Sequence, residues 1–319
     1  RRKRRTDGAG RAMTRTLYFD CSADMKALYE STEGMADILP SLELRLGDPD
    51  PSELPGLLSG YTGVLNGHTR MSAELLDACP DVKVVVFLGT GVASYVDMEA
   101  AAARGIAVHG IAGYGNRTIA EHSLALMLAG VRGVARLDRE MRAGTWRPDS
   151  GFELEGKTLG IVGLGGVGRT MAKLGAALGM KVIAWNRSGV PSDLPCTARK
   201  LHDLLAEADV VSLHVSLTNE TAGILDARRL ALLKPSTILV NTARGGLVDE
   251  AALVSTLQEG RIAHAALDTF AEEPLTPDHP LTKLNNVTLT SHAGFMTREA
   301  ATRLLQSAYE LTTEALAKT

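Results

Sequence analysis

Cysteine is scarce in this sequence of 319 residues. Cys21, Cys79 and Cys196 are odd in number, far apart and form no Cys-x-x-Cys pair. That excludes a disulfide framework and a thiolate metal site, so no metal is expected, and it points to a reducing, cytoplasmic setting. Charge of one sign is not in excess either: a formal net charge of -3 offers no basic surface to nucleic acid or to an anionic membrane. No apolar run approaches the roughly 18 to 20 residues of a membrane span. Aromatic residues make up only 4%, which suits a small polar substrate. The basic opening from Arg1 to Arg5 has no apolar segment behind it and is no secretory signal. Residues 1–12 are read as a disordered tail or expression remnant ahead of Met13. What remains is ordinary for a soluble globular chain, 45% hydrophobic and 22% charged, and long enough for two cores.

The chain is organised around residues 158–169. Leu159 to Val162 reads as a buried strand, followed by Gly163-x-Gly165-x-x-Gly168 and a helix beginning near Val167. Gly163 permits a tight turn, Gly165 lets backbone approach a pyrophosphate, and Gly168 lets helix and strand pack closely. Free N–H groups at the helix start then face the phosphates. Val182 to Trp185 supplies the second strand of this dinucleotide-binding βαβ unit, and Asn186-Arg187-Ser188 follow it. An Asp or Glu there would bind a ribose 2′-hydroxyl. Here no carboxylate repels a 2′-phosphate and Arg187 can grip one. NADP is therefore favoured over NAD, the alternative being a solvated arginine beside an NAD site that uses Asn186.

Ahead of this unit, short apolar strands at 16–19, 42–46, 63–65, 82–87 and 106–109 alternate with helices at 23–28, 71–78 and 98–103, the pattern of a parallel sheet with crossover helices. Gly89-Thr90-Gly91 stands at the carboxyl end of the fourth strand, where α/β folds bind ligands. Residues 117–143 form the longest helical pattern, so apolar in its middle that burial on several sides is expected. Strands at 208–213, 237–241, 263–268 and 287–289 complete a second sheet, with helices at 201–206, 227–232 and 250–259 between them. The last helix, 298–317, is expected to cross back onto the first domain. The fold predicted is α/β with two doubly wound parallel sheets. A Rossmann cofactor domain (113–292) is inserted in a flavodoxin-like substrate domain (13–112 plus 293–319).

Three polar residues fall at strand ends on the edge that carries the glycine turn: Arg244, Glu273 and His292. Parallel strands end on one side of a sheet, so the three can converge although far apart in sequence. Hydride transfer to a carbonyl leaves charge on oxygen, which His292 can protonate. In reverse, neutral imidazole takes the hydroxyl proton. A carboxylate such as Glu273 fixes the tautomer, and Arg244 is a fork for a substrate carboxylate. A 2-keto acid carries both groups. Because such a site lies between domains, closure over the substrate is expected.

The sequence resembles the D-isomer-specific 2-hydroxyacid dehydrogenases, a family that includes phosphoglycerate dehydrogenase, D-lactate dehydrogenase and glyoxylate/hydroxypyruvate reductases. The likeness runs from Met13 to the C-terminus. It rests on Ile119-Ala120-Glu121-His122, on Gly156 to Gly165, on Asn241-Thr242-Ala243-Arg244-Gly245, and on Asp268-Thr269-Phe270 leading to Glu273-Pro274. It implies the roles given above for Arg244, Glu273 and His292. It further implies cofactor contacts from Gly166, Val167, Ser216, Thr221, Thr242, Ala243, Asp268 and Gly294, substrate carboxylate contacts from Gly89, Thr90 and Gly91, and a homodimer built around the helix after Arg117. Two segments depart from the family pattern. His214-Val215-Ser216 stands where His-x-Pro is common, and Gly91 to Asp97 is longer than Gly-x-Asp. No regulatory domain is expected after the return helix, which weighs against a serine-biosynthesis role. The expectation is an NAD(P)-dependent enzyme acting on a small 2-keto or 2-hydroxy acid. The rivals are a formate- or phosphite-type dehydrogenase on the same scaffold, which would still need Arg244 and the histidine, and a dinucleotide-sensing corepressor, which would show an exposed apolar groove and a long extension.

Overall fold

A computed structural model describes residues 14–319; the expected tail and Met13 lie outside the described residues. The chain forms two compact units, one of residues up to Gly115 together with Thr297–Thr319, the other Asn116–Met296.

In the first unit five strands, β1 (Thr16–Cys21), β2 (Leu42–Leu46), β3 (Gly63–Asn66), β4 (Val84–Phe87) and β5 (Ala107–Gly110), form an all-parallel sheet in the order β2-β1-β3-β4-β5. Every residue of β1, β3 and β4 is buried, as helix-covered parallel strands require. Alternate side chains feed two cores. Tyr18, Leu65, Val84 and Val86 pack with Leu304, Leu305 and Tyr309 on one face, while Leu17, Phe19, Val64 and Val85 meet Leu54, Leu58 and Leu76 on the other. The long helix Arg298–Leu316 starts at Thr297, whose side chain accepts the Ala300 N–H, and lies against β4 and the helix Ala23–Ser31. The short helices Met35–Ile38 and Leu54–Leu58 were not foreseen; one turn of helix leaves almost no periodicity to read.

The second unit holds β6 (Thr158–Val162), β7 (Lys181–Trp185), β8 (Thr197–Ala198), β9 (Val210–Leu213), β10 (Ile238–Asn241), β11 (His264–Leu267) and β12 (Val287–Leu289), again all parallel, in the order β12-β11-β10-β9-β6-β7-β8. The chain runs outward from β6 to β8, returns to β9 and runs outward the other way. The direction of winding therefore switches between β6 and β9, where doubly wound sheets place ligands.

Residues 117–143 are not one helix. Gly133, at φ +60, ends Asn116–Arg132 and a second helix, Val134–Arg142, follows. A left-handed glycine is a common helix terminator. The first of these helices is shorter than Arg298–Leu316, so it is not the longest. Within Asn116–Arg132, Leu126, Met127 and Val131 are buried and Leu128 is 39% exposed, whereas Val134–Arg142 buries no residue.

Candidate functional site

All seven strands of the second unit end on one edge, and the predicted cofactor and catalytic residues of that unit follow those ends. At the β6 end, the glycine turn shows which glycines the protein itself demands. Gly163 sits at φ +99, and a Cβ there would stand 2.6 Å from the His214 carbonyl oxygen; one on Gly168 would stand 2.0 Å from that of Gly163. Both are required by internal packing. Gly165 is different: a Cβ would meet nothing within 4 Å. The helix Gly166–Ala177 that begins there has no side-chain cap, so its first N–H groups, including those of Gly166 and Val167, point to solvent or ligand. Beside it lies a cleft of about 440 Å³ walled by Leu164, Gly165, Arg169, Asn186, Ser188 and Pro191. A cradle open at Gly165 and closed at its neighbours fits a dinucleotide pyrophosphate.

After β7, Asn186 is consumed internally. Its Oδ1 accepts the Leu164 N–H at 3.1 Å, and its Nδ2 donates to Ser188 Oγ at 2.9 Å and to the Gly189 carbonyl at 2.8 Å. Arg187 does have a carboxylate neighbour, contrary to the sequence reading: it pairs with Glu220, both side chains being well exposed. Glu220 lies 33 residues on, in the loop after β9, beyond the reach of any local motif. In that loop Thr221 Oγ1 donates to the Ser216 carbonyl at 2.6 Å. Arg169, which the motif analysis passed over, reaches the cleft and donates through Nε to the Leu164 carbonyl. Its place directly after the last fingerprint glycine was the available signal.

At the β10 end, Asn241 Nδ2 donates to the Arg244 carbonyl and its Oδ1 accepts the Ala243 N–H, so one side chain shapes the turn carrying Arg244. The buried hydroxyls of Thr242 and Ser123 are 2.7 Å apart. The Arg244 guanidinium is exposed and donates to the Ala243 carbonyl.

The β11 and β12 ends carry the densest network. His292 Nδ1 lies 2.7 Å from Glu273 Oε2, while Glu273 Oε1 accepts the Phe270 N–H at 2.9 Å. With Nδ1–H donated to the carboxylate, Nε2 is left to exchange a proton with a ligand. Among the described residues His292 is the one non-glycine with positive φ, +52, a conformation that costs energy unless its surroundings hold it. Asp268, 1% exposed, does so: its carbonyl accepts the His292 N–H, and its carboxylate accepts the N–H groups of Ala293 and Gly294, each at 2.9 Å. Thr290 Oγ1 donates to the same carboxylate at 2.5 Å, and His122 Nε2 stands 3.0 Å from that hydroxyl. Burial alone would push the Asp268 carboxyl up. The donors His122, Thr290, Ala293 and Gly294 outweigh burial and hold it below the usual carboxylate range. Asp268 is thus foremost a holder of the histidine turn, a role its position in sequence did not disclose.

In the first unit, Gly89 is buried and Thr90 exposed after β4; the Gly89 carbonyl accepts the Ile111 N–H at 2.8 Å. Gly91 leads into a 3₁₀ turn, Val92–Ser94, and Asp97 caps the next helix, its carboxylate accepting the Ala100 N–H.

Residues 124–294 match the family model described as D-isomer specific 2-hydroxyacid dehydrogenase, NAD binding domain. The chain belongs to the D-isomer-specific 2-hydroxyacid dehydrogenase family. Among its relatives in this family is the glyoxylate reductase of Aeropyrum pernix, 42% identical over 253 residues that cover 76% of this chain and 75% of the relative. The D-3-phosphoglycerate dehydrogenase of Mycobacterium leprae is 43% identical over 269 residues, 82% of this chain; this match spans only 51% of that longer protein. The solved structure of the TT0316 protein from Thermus thermophilus superposes with a TM-score of 0.84 at 36% identity, over 96% of this chain and 97% of the other. An NAD-binding domain of the D-2-hydroxyacid dehydrogenase type is accordingly present, and its edge is the one that bears the Glu273–His292 pair.

Proposed function

We propose that this chain transfers a hydride between NADP(H) and a small 2-keto or D-2-hydroxy acid, with His292 as acid/base, Glu273 as its partner and Arg244 as the carboxylate clamp. The observation that carries the reading is the His292–Glu273 pair at 2.7 Å, set on a left-handed turn that Asp268 holds. When bound, the nicotinamide supplies or accepts the hydride. His292 Nε2 gives a proton to the oxygen that gains charge and takes one from the hydroxyl in the reverse direction. Glu273 holds the ring of His292 and its tautomer, and the Phe270 N–H stops that carboxylate from turning away. Arg244 orients the acid by two parallel hydrogen bonds; Gly89, Thr90 and Gly91 contribute further contacts to its carboxylate.

Cofactor contacts come from Gly163, Gly165, Gly166, Val167, Gly168, Ser216, Thr221, Thr242, Ala243, Asp268 and Gly294, and Arg187 and Ser188 receive the 2′-phosphate of NADP on a turn that Asn186 holds. The named relatives that reduce glyoxylate and hydroxypyruvate support a two- or three-carbon keto acid. Exposed Leu128, Val134 and Met141 support a homodimer through those helices, which light scattering tests. Free thiols at Cys21, Cys79 and Cys196 support a cytoplasmic setting.

The deciding experiment is turnover of glyoxylate, hydroxypyruvate, pyruvate and longer keto acids with both cofactors, in the parent and in His292→Ala. Loss of about a thousandfold in kcat is expected for the variant. Parental turnover in His292→Ala, or no turnover of any keto acid by the parent, would overturn the reading.

A further inference from the structure

A second carboxylate–imidazole pair backs the first. Glu250, the opening residue of the helix Glu250–Gln258, places Oε1 3.1 Å from His279 Nε2 and accepts the Ala271 N–H on Oε2 at 3.1 Å. His279 Nδ1 accepts the Leu281 N–H at 3.2 Å, so its proton sits on Nε2 and is donated to Glu250. The neighbouring amide, Phe270 N–H, is the one that Glu273 holds. Two consecutive amides are therefore each taken by a carboxylate, and each carboxylate also binds an imidazole: Glu250 with His279 behind the loop, Glu273 with His292 at the candidate site.

The same dipeptide abuts the loop of Arg244. A Cβ on Gly245 would stand 1.9 Å from the carbonyl carbon of Phe270, so the two backbones touch and neither loop shifts without the other. The Phe270 ring is buried in the core, whereas residues 271–274 are exposed. Burial thus fixes one end of this segment and hydrogen bonds must fix the rest.

We propose that Glu250 and His279 form a positioning pair for the reaction: by holding Ala271 they set where Glu273, and through it His292, stands. The inference rests on the acid/base reading of His292 and Glu273 given above. Glu250 and His279 touch no reacting atom in this account; they act through Glu273.

The test uses the full chain with NADPH and its best keto acid. His279→Asn is the central variant, because an asparagine oxygen can still accept the Leu281 N–H while the side chain no longer reaches Glu250. Glu250→Ala removes both bonds. Each is expected to lower kcat by about ten- to a hundredfold, the usual effect of a small misplacement of reacting groups, with the keto-acid KM changed less than about twofold. In a Glu273→Gln background each should cost less than about twofold more, since the group they position is already disabled. Parental kcat in the folded His279→Asn protein, or losses that multiply with that of Glu273→Gln, would overturn the proposal. If Glu273→Gln alone kept the parental kcat, the acid/base reading would fall and this inference with it. An impaired Glu273→Gln beside an unimpaired His279→Asn would remove only the positioning pair.

Discussion

Two ends of one sheet edge solve opposite problems. At the β11 and β12 end, a carboxylate that is almost fully buried gathers backbone and hydroxyl donors and forces a histidine into a left-handed turn. At the β7 end, Arg187 and Glu220 face each other in solvent, where an ion pair is screened and contributes less than about 1 kcal/mol. Buried, multiply satisfied charge gives one geometry at high cost of disturbance. Exposed charge gives a preference that can be tuned with little effect on folding. On the proposed function, the end that carries His292 is built for position and the end that carries Arg187 for selection.

The strongest way to break this contrast is Asp268→Ala, which strands several buried donors. We expect a loss of about 3 kcal/mol in stability by denaturant melts together with about a hundredfold in kcat. A stable, active variant would mean that the turn of His292 holds itself.

Next in size is a pH effect at the amino ends of the same two strands, where buried His264 lies with Nε2 2.9 Å from Thr288 Oγ1. Burial chiefly, then the charges of Arg139 and Arg136, push its pKa down to about 4. The unfolded chain binds that proton near pH 6.5 while the folded one refuses it until about pH 4. Stability is therefore full above about pH 6.5 and falls towards about pH 4, by up to about 3 kcal/mol. His264→Gln should remove about half of the fall in melting temperature in that window, the rest belonging to His214, which burial likewise pushes down to about 4. A decline that begins only as carboxylates titrate would trace instead to carboxylates that their donors hold low, Asp268 and Asp209 among them, whose stabilising contribution is present above the usual carboxylate range and lost as pH falls below it.

Gly165→Ala sharpens the comparison from the cofactor side. The added methyl meets no protein atom, so the melting temperature should hold while the Kd for NADPH rises by about tenfold or more, as a close backbone approach is blocked. A large loss of stability would show that Gly165 serves the fold. Smallest are the exposed charges. Arg187→Ala should lower the NADPH over NADH ratio of kcat/KM severalfold, and Glu220→Gln, which frees Arg187, should raise it by about two- to threefold. An unchanged ratio in both would remove the 2′-phosphate argument.

Much of the frame was legible beforehand because it is written locally. The strands at 42–46 and 287–289 and the helix at 98–103 have the bounds that their apolar spacing indicates. Gly133 was in plain view, yet the apolar pattern on either side read straight through it. Glu220, 33 residues from Arg187, carried no local mark at all.

The sequence by itself determined which residues lie at strand ends, since apolar runs and glycines act on their immediate neighbours, and so it set the candidates Arg244, Glu273 and His292 on one edge. Tertiary structure alone decided how they are held. Pairing of Leu267 with Leu289 brings Asp268 to residues 290–294, and packing of Gly245 on Phe270 joins two loops 25 residues apart. Register and close approach are properties of the folded sheet, and no spacing within a single stretch of chain encodes them.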